Sequence, residues 1–114
     1  KIIYFTITLH NDEPIGFIIL ININYIHKYC ELGIVIGEEN CRGKGYCEEA
    51  IKLIINYAFS HLNMNKIGVE EVVEFNKGPL KLCKKIGFIK EGILKKHYYI
   101  ESKYYDIYLL SKFK

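Results

Sequence analysis

The sequence predicts an α+β fold, in which a mixed and largely antiparallel sheet packs against helices. Two observations carry this prediction. At the start of the 114-residue chain two β-rich runs are joined by a short polar segment, as in an antiparallel hairpin, and two further β-rich runs close the chain. Between them lie a short apolar run, a stretch of helical periodicity and another β-rich run, which is the order of a βαβ crossover with parallel strands. At this length we expect one domain, spanning residues 1–114.

The first two predicted strands form a hairpin. Residues 2–9 are rich in β-branched and aromatic side chains, and a second run of this kind covers 15–23. The segment between them, HNDEP, is polar and ends in proline, so it predicts a turn.

The centre of the chain predicts the crossover. The run 31–37 (ELGIVIG) is almost continuously apolar, which favours a central strand covered on both faces. Apolar residues then recur on one helix face, which predicts a helix over about 46–62. The β-rich stretch 66–75 follows after a short connection and is expected to pair in parallel with 31–37.

A second helix and two further strands complete the chain. Pro79 suits the first turn of a helix that runs to about Ile86 and is stopped by Gly87. Strands are predicted over about 88–99 and 104–110.

Composition and charge exclude several classes of protein. A net charge of +3, with scattered lysines, gives no basis for binding nucleic acid. The longest apolar run, 15–23, is well short of the roughly 18 to 20 residues of a membrane helix. Cys30, Cys41, Cys47 and Cys83 lack the spacing of a metal site, so we expect reduced thiols, a cytoplasmic protein and no metal.

A glycine-containing turn, 42–47 (RGKGYC), lies between the predicted central strand and the first helix. Glycines at such a place let backbone N–H groups point toward one anion, and the first turn of the helix adds to the attraction. Arg42 and Lys44 supply positive charge, so a diphosphate ligand such as coenzyme A fits. Neither GxxxxGK(S/T) nor GxGxxG is present. The alternative is a tight loop with solvated basic residues.

The motifs around this turn, taken in order, resemble the GNAT superfamily of acetyl-CoA-dependent N-acetyltransferases. RGKGYCEEA follows ELGIVIG, and EFNKGPLKLCKKIGF and EG come after it. The resemblance covers nearly the whole chain and extends to the branches that act on ribosomal-protein N-termini, amino sugars and polyamines. It implies a GNAT fold with one parallel strand pair splayed to admit acetyl-CoA. It also implies that the family's first strand and helices are missing, so that the domain lacks its N-terminal part.

The resemblance implies which residues hold acetyl-CoA. The family's pyrophosphate signature, (Q/R)xxGx(G/A), matches the turn with Cys47 in its last position instead of Gly or Ala. In the family, main-chain groups of the central strand bind the pantetheine arm. The implied cofactor-binding residues are therefore Ile34, Val35, Ile36, Arg42, Gly43, Lys44, Gly45, Tyr46, Cys47 and Asn76.

Two residues are candidates for the acetyl-transfer chemistry. Glu31 begins the central strand, where related enzymes often place a carboxylate that accepts the amine proton directly or through water. The alternative is an exposed Glu without a role, but we prefer it to Glu70, Glu71 or Glu74. Cys83 stands where the superfamily usually has a tyrosine as general acid. Its thiol can protonate the leaving thiolate, or it can simply pack as an apolar residue.

The resemblance leaves the acceptor amine open among a protein N-terminus, an amino sugar and a polyamine. The expected reaction is direct attack of a primary amine on acetyl-CoA. The alternative function is a non-catalytic acyl-CoA-binding or interaction module on the same fold. We expect no nucleic-acid or membrane partner, and a homodimer is among the expected states. Asp106, in the family's closing strand, is expected to make a structural hydrogen bond.

Overall fold

The computed structural model describes residues 2–8, 14–36 and 45–114. Their elements, in chain order, are β1 (Ile3–Thr8), β2 (Pro14–Asn24), β3 (Tyr29–Ile36), α1 (Tyr46–Ser60), β4 (Lys66–Val73), α2 (Lys77–Ile86), β5 (Ile89–Ile100) and β6 (Lys103–Phe113). The chain divides into two compact units, Lys1–Ile67 with Lys114, and Gly68–Phe113. Strand β4 begins in the first unit and continues in the second.

The first unit contains an antiparallel meander of β1, β2 and β3. One face of its sheet is apolar and buried, because Ile18 and Leu20 on β2 alternate with more exposed residues and Leu20 lies opposite the buried Leu32 on β3. Helix α1 packs near this sheet, since the Phe5 and Tyr57 rings meet edge to face at 5.4 Å.

The predicted crossover is present in the first unit. The carbonyl of Lys28 accepts hydrogen bonds from the amides of Asn65 and Lys66, at 2.7 and 3.2 Å. These residues stand at the starts of β3 and β4, which are neighbours in the sheet, so the two strands set out side by side in the same direction. Strand β3 is therefore a central strand, with β2 on its other side.

The second unit holds β4, β6 and β5 in that sheet order, together with α2. Strands β5 and β6 pair antiparallel as a hairpin. Its two turn residues, Glu101 and Ser102, both have positive φ, as a type I′ turn requires. Helix α2 ends at Gly87, whose φ of 111° is easily adopted by glycine and whose amide donates to the Cys83 carbonyl at 3.1 Å.

The fold class and the order of elements predicted from the sequence are confirmed. The sheet is mixed and mostly antiparallel, with helices between its strands. Several boundaries differ from the prediction by a few residues: β3 begins at Tyr29, α1 ends at Ser60 and β6 ends at Phe113. Helix α2 begins at Lys77, so Pro79 lies in its first turn as predicted. Among the described residues no helix combines the length and apolar character needed to cross a membrane.

Candidate active site

Glu31 is the third residue of β3 and lies opposite Ile21 of β2. Its side chain is half-buried, and it points away from the face that carries the buried Cys30 and Leu32. The side-chain amide of Asn22 donates a hydrogen bond to Glu31 Oε2 at 3.0 Å. The sequence-predicted carboxylate is thus reachable from solvent and oriented by a neighbour on β2.

Cys30, beside Glu31, is fully buried. Burial, and secondarily the charge of Glu31, raises the pKa of the Cys30 thiol to about 11. At neutral pH this thiol is therefore protonated and is a poor nucleophile.

The predicted pantetheine-binding segment forms the last part of β3. Ile34, Val35 and Ile36 lie opposite Ile18, Phe17 and Gly16 of β2. The main-chain N–H and C=O groups of successive residues in a strand point alternately toward its two edges. About half of these groups in Ile34, Val35 and Ile36 are therefore directed away from β2.

The predicted pyrophosphate turn is described only at its end. Arg42, Gly43 and Lys44 lie outside the described residues. Gly45 precedes α1 with a φ of 80°, and its carbonyl accepts the amide of Glu49 at 3.0 Å as the first helical hydrogen bond.

The start of α1 leaves room and backbone donors for an anion. A Cβ built on Gly45 would meet no described atom within 4 Å. The amides of Tyr46 and Cys47 precede the first intrahelical hydrogen bond, so the helix itself does not satisfy them. Because Gly45 caps the helix without a side chain, these amides suit an external acceptor.

Two predicted site residues lie in the second unit. Asn76 is exposed and precedes α2, and its carbonyl accepts the amide of Leu80 at 3.2 Å. Cys83 is 9% exposed and, with Ile86, forms the buried side of α2. The thiol at the family's usual tyrosine position is therefore at most slightly accessible.

Glu74, an alternative to Glu31 as the active carboxylate, is engaged in a structural contact. Its Oε2 accepts the amide of Asp106 at 2.6 Å. Asp106 in turn accepts the amide of Lys96 on Oδ1 at 2.9 Å, where β5 departs from regular register. The expected structural role of Asp106 agrees with these contacts. The side chains of Glu70 and Glu71 lie outside the described part of the chain.

Sequence reasoning did not identify Asn22 as a site residue. The signal that points to it is an asparagine inside an otherwise apolar β run, since asparagine is disfavoured in strands and tolerates a left-handed backbone. Its φ is indeed 52°.

A cavity of about 320 Å³ lies between α1 and the β1–β2 hairpin. Its lining is mostly apolar and includes Ile15, Ile18 and Leu53, with Glu49 at its wall. Ile18 belongs to the buried face of the sheet, whereas Glu31 lies on the opposite face. The cavity is therefore separate from the Glu31 carboxylate.

The comparisons with known proteins agree with this fold. Residues 2–89 match the acetyltransferase (GNAT) domain family. Spermidine N(1)-acetyltransferase of Vibrio cholerae is 38% identical over 93 residues, which are 82% of this chain and 53% of that protein. The Escherichia coli K12 enzyme of the same name is 34% identical over 94 residues, 82% of this chain and 50% of that protein.

A third relative and a solved structure are also similar to this chain. The putative ribosomal N-acetyltransferase YdaF of Bacillus subtilis is 28% identical over 106 residues, 93% of this chain and 57% of that protein. The dodecameric structure of the Vibrio cholerae spermidine N-acetyltransferase superposes with a TM-score of 0.88 at 30% identity, covering 98% of this chain and 64% of that one. The chain spans about half the length of the curated relatives it matches. It belongs to the GNAT acetyltransferase family.

Proposed function

We propose that the protein transfers the acetyl group of acetyl-CoA to a primary amine of a polyamine, with spermidine as the first candidate. The similarity to two spermidine N(1)-acetyltransferases, at 38% and 34% identity, supports the polyamine class. The observation that carries the proposal is the half-buried Glu31 carboxylate on β3, which accepts a hydrogen bond from Asn22.

The reaction is a direct transfer in one site. A polyamine is a cation at neutral pH, so its reacting ammonium, with a pKa of roughly 8 to 10, must lose a proton before attack. Glu31 accepts this proton directly or through a water molecule. The amine nitrogen bonds to the acetyl carbon and the C–S bond breaks. The nitrogen then loses its second proton, and the CoA thiolate takes up one proton, so that the net release is the single proton first accepted by Glu31. The products are an N-acetylpolyamine and CoA with a free thiol.

Acetyl-CoA is proposed to bind along β3 and at the start of α1. Main-chain groups of Ile34, Val35 and Ile36 directed away from β2 suit the amides of the pantetheine arm. The amides at Gly45, Tyr46 and Cys47, beside an open surface, suit the diphosphate. The remaining members of the proposed set are Arg42, Gly43, Lys44 and Asn76.

Cys83 is the candidate proton donor to the leaving thiolate, because it stands at the position of the family's usual tyrosine. A thiol can donate its proton to a thiolate, because the two groups are of the same chemical type, so the transfer is feasible. Its burial supports the alternative, in which it packs as an apolar residue.

Two similar proteins support further proposals, one on the acceptor amine and one on the oligomeric state. YdaF, a putative ribosomal N-acetyltransferase, makes a protein N-terminus the second acceptor class. The dodecameric spermidine N-acetyltransferase suggests that copies of this protein also associate, with a homodimer as the smallest assembly.

A thiol-release assay on the full-length protein tests the proposed function. Acetyl-CoA is offered with spermidine, with a peptide bearing a free N-terminus and with glucosamine, and the released thiol is measured together with the mass of the acetylated product. We expect thiol release with spermidine, matched by an equal amount of acetylspermidine. Thermal stabilisation by CoA without thiol release from any amine would favour a non-catalytic binding module and overturn the proposal.

A further inference from the structure

A β-bulge in β2 lies directly beside Glu31. Ile21 pairs with Glu31 and Asn24 pairs with Tyr29, so two residues of β2, Asn22 and Ile23, face the single residue Cys30 on β3. Such bulges turn a strand and redirect a side chain. The φ of 52° at Asn22 lies in the left-handed region, which asparagine adopts more readily than most residues.

The bulge determines where the Asn22 side chain goes. In a regular strand Asn22 would share a face with Leu20, which is buried on the side opposite to Glu31. The bulged backbone instead lets its side-chain amide donate to Glu31 Oε2 at 3.0 Å. The irregular pairing of β2 with β3 therefore brings the Asn22 side chain next to Glu31, and the hydrogen bond between them follows from the backbone geometry.

We infer that Asn22 is a positioning residue for the Glu31 carboxylate. The inference rests on the proposed function, in which Glu31 receives the proton of the attacking amine. A glutamate side chain on a sheet surface has several rotamers, and a hydrogen bond from a fixed neighbour favours one of them. Asn22 thereby holds one carboxylate oxygen before substrate arrives, so less ordering is needed in the transition state.

The variant Asn22→Gly removes the amide with little disturbance of the bulge, because glycine adopts a positive φ without steric cost. The chain offers a matched control in Asn63, an exposed asparagine with a φ of 59° whose Oδ1 accepts Lys114 Nζ at 3.4 Å. We expect Asn22→Gly to lower kcat/KM for spermidine about fivefold, mainly through kcat, as for loss of one orienting hydrogen bond. Asn63→Gly should leave kcat/KM unchanged.

A double-mutant cycle separates positioning from a general structural effect. In a Glu31→Gln background, Asn22→Gly should lower kcat/KM for spermidine by less than about twofold, since the carboxylate that Asn22 positions is gone. Asn22→Asp keeps the tolerance for positive φ but sets a second carboxylate against Glu31, so we expect a larger loss than with glycine.

Each outcome decides the inference. Wild-type kcat/KM in Asn22→Gly, or an equal fivefold loss with and without the Glu31 carboxylate, would overturn the positioning role while leaving the proposed function intact. An inactive wild-type protein in the same assay would overturn the proposed function itself and the inference with it. If Asn22→Gly unfolds, Asn22→Asp is measured with and without the Glu31 carboxylate: a loss in kcat/KM confined to the protein that keeps Glu31 supports the positioning role, and an equal loss in both overturns it.

Discussion

Glu74 and Asp106 are joined by two hydrogen bonds. The backbone amide of Glu74 donates to the Asp106 carbonyl at 3.1 Å, and the backbone amide of Asp106 donates to Glu74 Oε2 at 2.6 Å. The carboxylate of Glu74 therefore serves as an acceptor for the main chain of β6. The Glu74 carboxylate thus differs from that of Glu31, which accepts its hydrogen bond from the side chain of Asn22.

Replacing Glu74 should affect stability and spare catalysis. Glu74→Ala removes the side-chain acceptor of a half-buried amide, and we expect a loss of about 1 kcal/mol in the free energy of unfolding. Glu74→Gln keeps an acceptor oxygen for the Asp106 amide, so its free energy of unfolding should fall by less. Urea denaturation measures both variants. A drop in kcat/KM of the folded Glu74→Gln protein would instead place this side chain in the reaction.

Replacing Gly78 in α2 and Gly87 at its C-cap by alanine should change the stability of the protein in opposite directions. Gly87 has a φ of 111°, so Gly87→Ala is expected to cost about 1 to 2 kcal/mol of stability from backbone strain. The nearest atom to its new Cβ would be Lys112 Nζ at 2.6 Å, the movable end of a flexible chain, so the clash adds little. Gly78→Ala lies in the helix with open space around it and should stabilise by about 0.5 kcal/mol. Thermal unfolding compares the two, and equal shifts would contradict the assigned cap.

The sequence could predict the fold because its local signals agree with one another. The helix face that ends at Leu62 and the stop at Gly87 each match the observed elements within a few residues, whereas the predicted turn HNDEP lies mostly outside the described residues. Pro79 suits any position in the first turn of a helix, so it could not fix where α2 starts.

The site was predictable in part. Glu31 could be placed near the start of a strand because the run that follows it has a recognisable apolar composition, although β3 in fact begins two residues earlier, at Tyr29. Asn22 could not, because its contact depends on a bulge, and a bulge arises from the register between two strands that no single run of residues specifies. Likewise, the pairing of Glu74 with Asp106 spans 32 residues and follows from the sheet order.

The proposed diphosphate site predicts a charge effect at Gly45. Gly45→Asp would place a negative charge at the start of α1, where repulsion from the diphosphate should raise the Kd for CoA at least about tenfold at low salt. Gly45→Asn has the same shape and a similar tolerance for the φ of 80°, so it isolates the charge and should raise the Kd less. Calorimetric titration with CoA gives both constants. Identical Kd values for wild type and Gly45→Asp would place the diphosphate elsewhere.

The burial of Cys83 predicts that its replacement affects folding more than chemistry. Cys83→Ala removes a buried sulfur from α2, and we expect a loss of about 1 kcal/mol of stability with kcat within about threefold of wild type. Cys83→Ser is the companion variant, since it retains a proton donor of much higher pKa. A kcat that falls in both variants, while unfolding is little changed, would assign the proton transfer to this thiol.

The most direct test of the account is the pH dependence of Glu31→Gln in the full-length protein. With spermidine as acceptor, the account predicts that kcat/KM falls about 10²-fold at neutral pH, the range usual for loss of a general base. The deficit should shrink as pH rises through the amine's own pKa, roughly 8 to 10, because the substrate then arrives already deprotonated. Wild-type activity in Glu31→Gln, or a deficit that stays constant across the whole pH range, would contradict the role of Glu31.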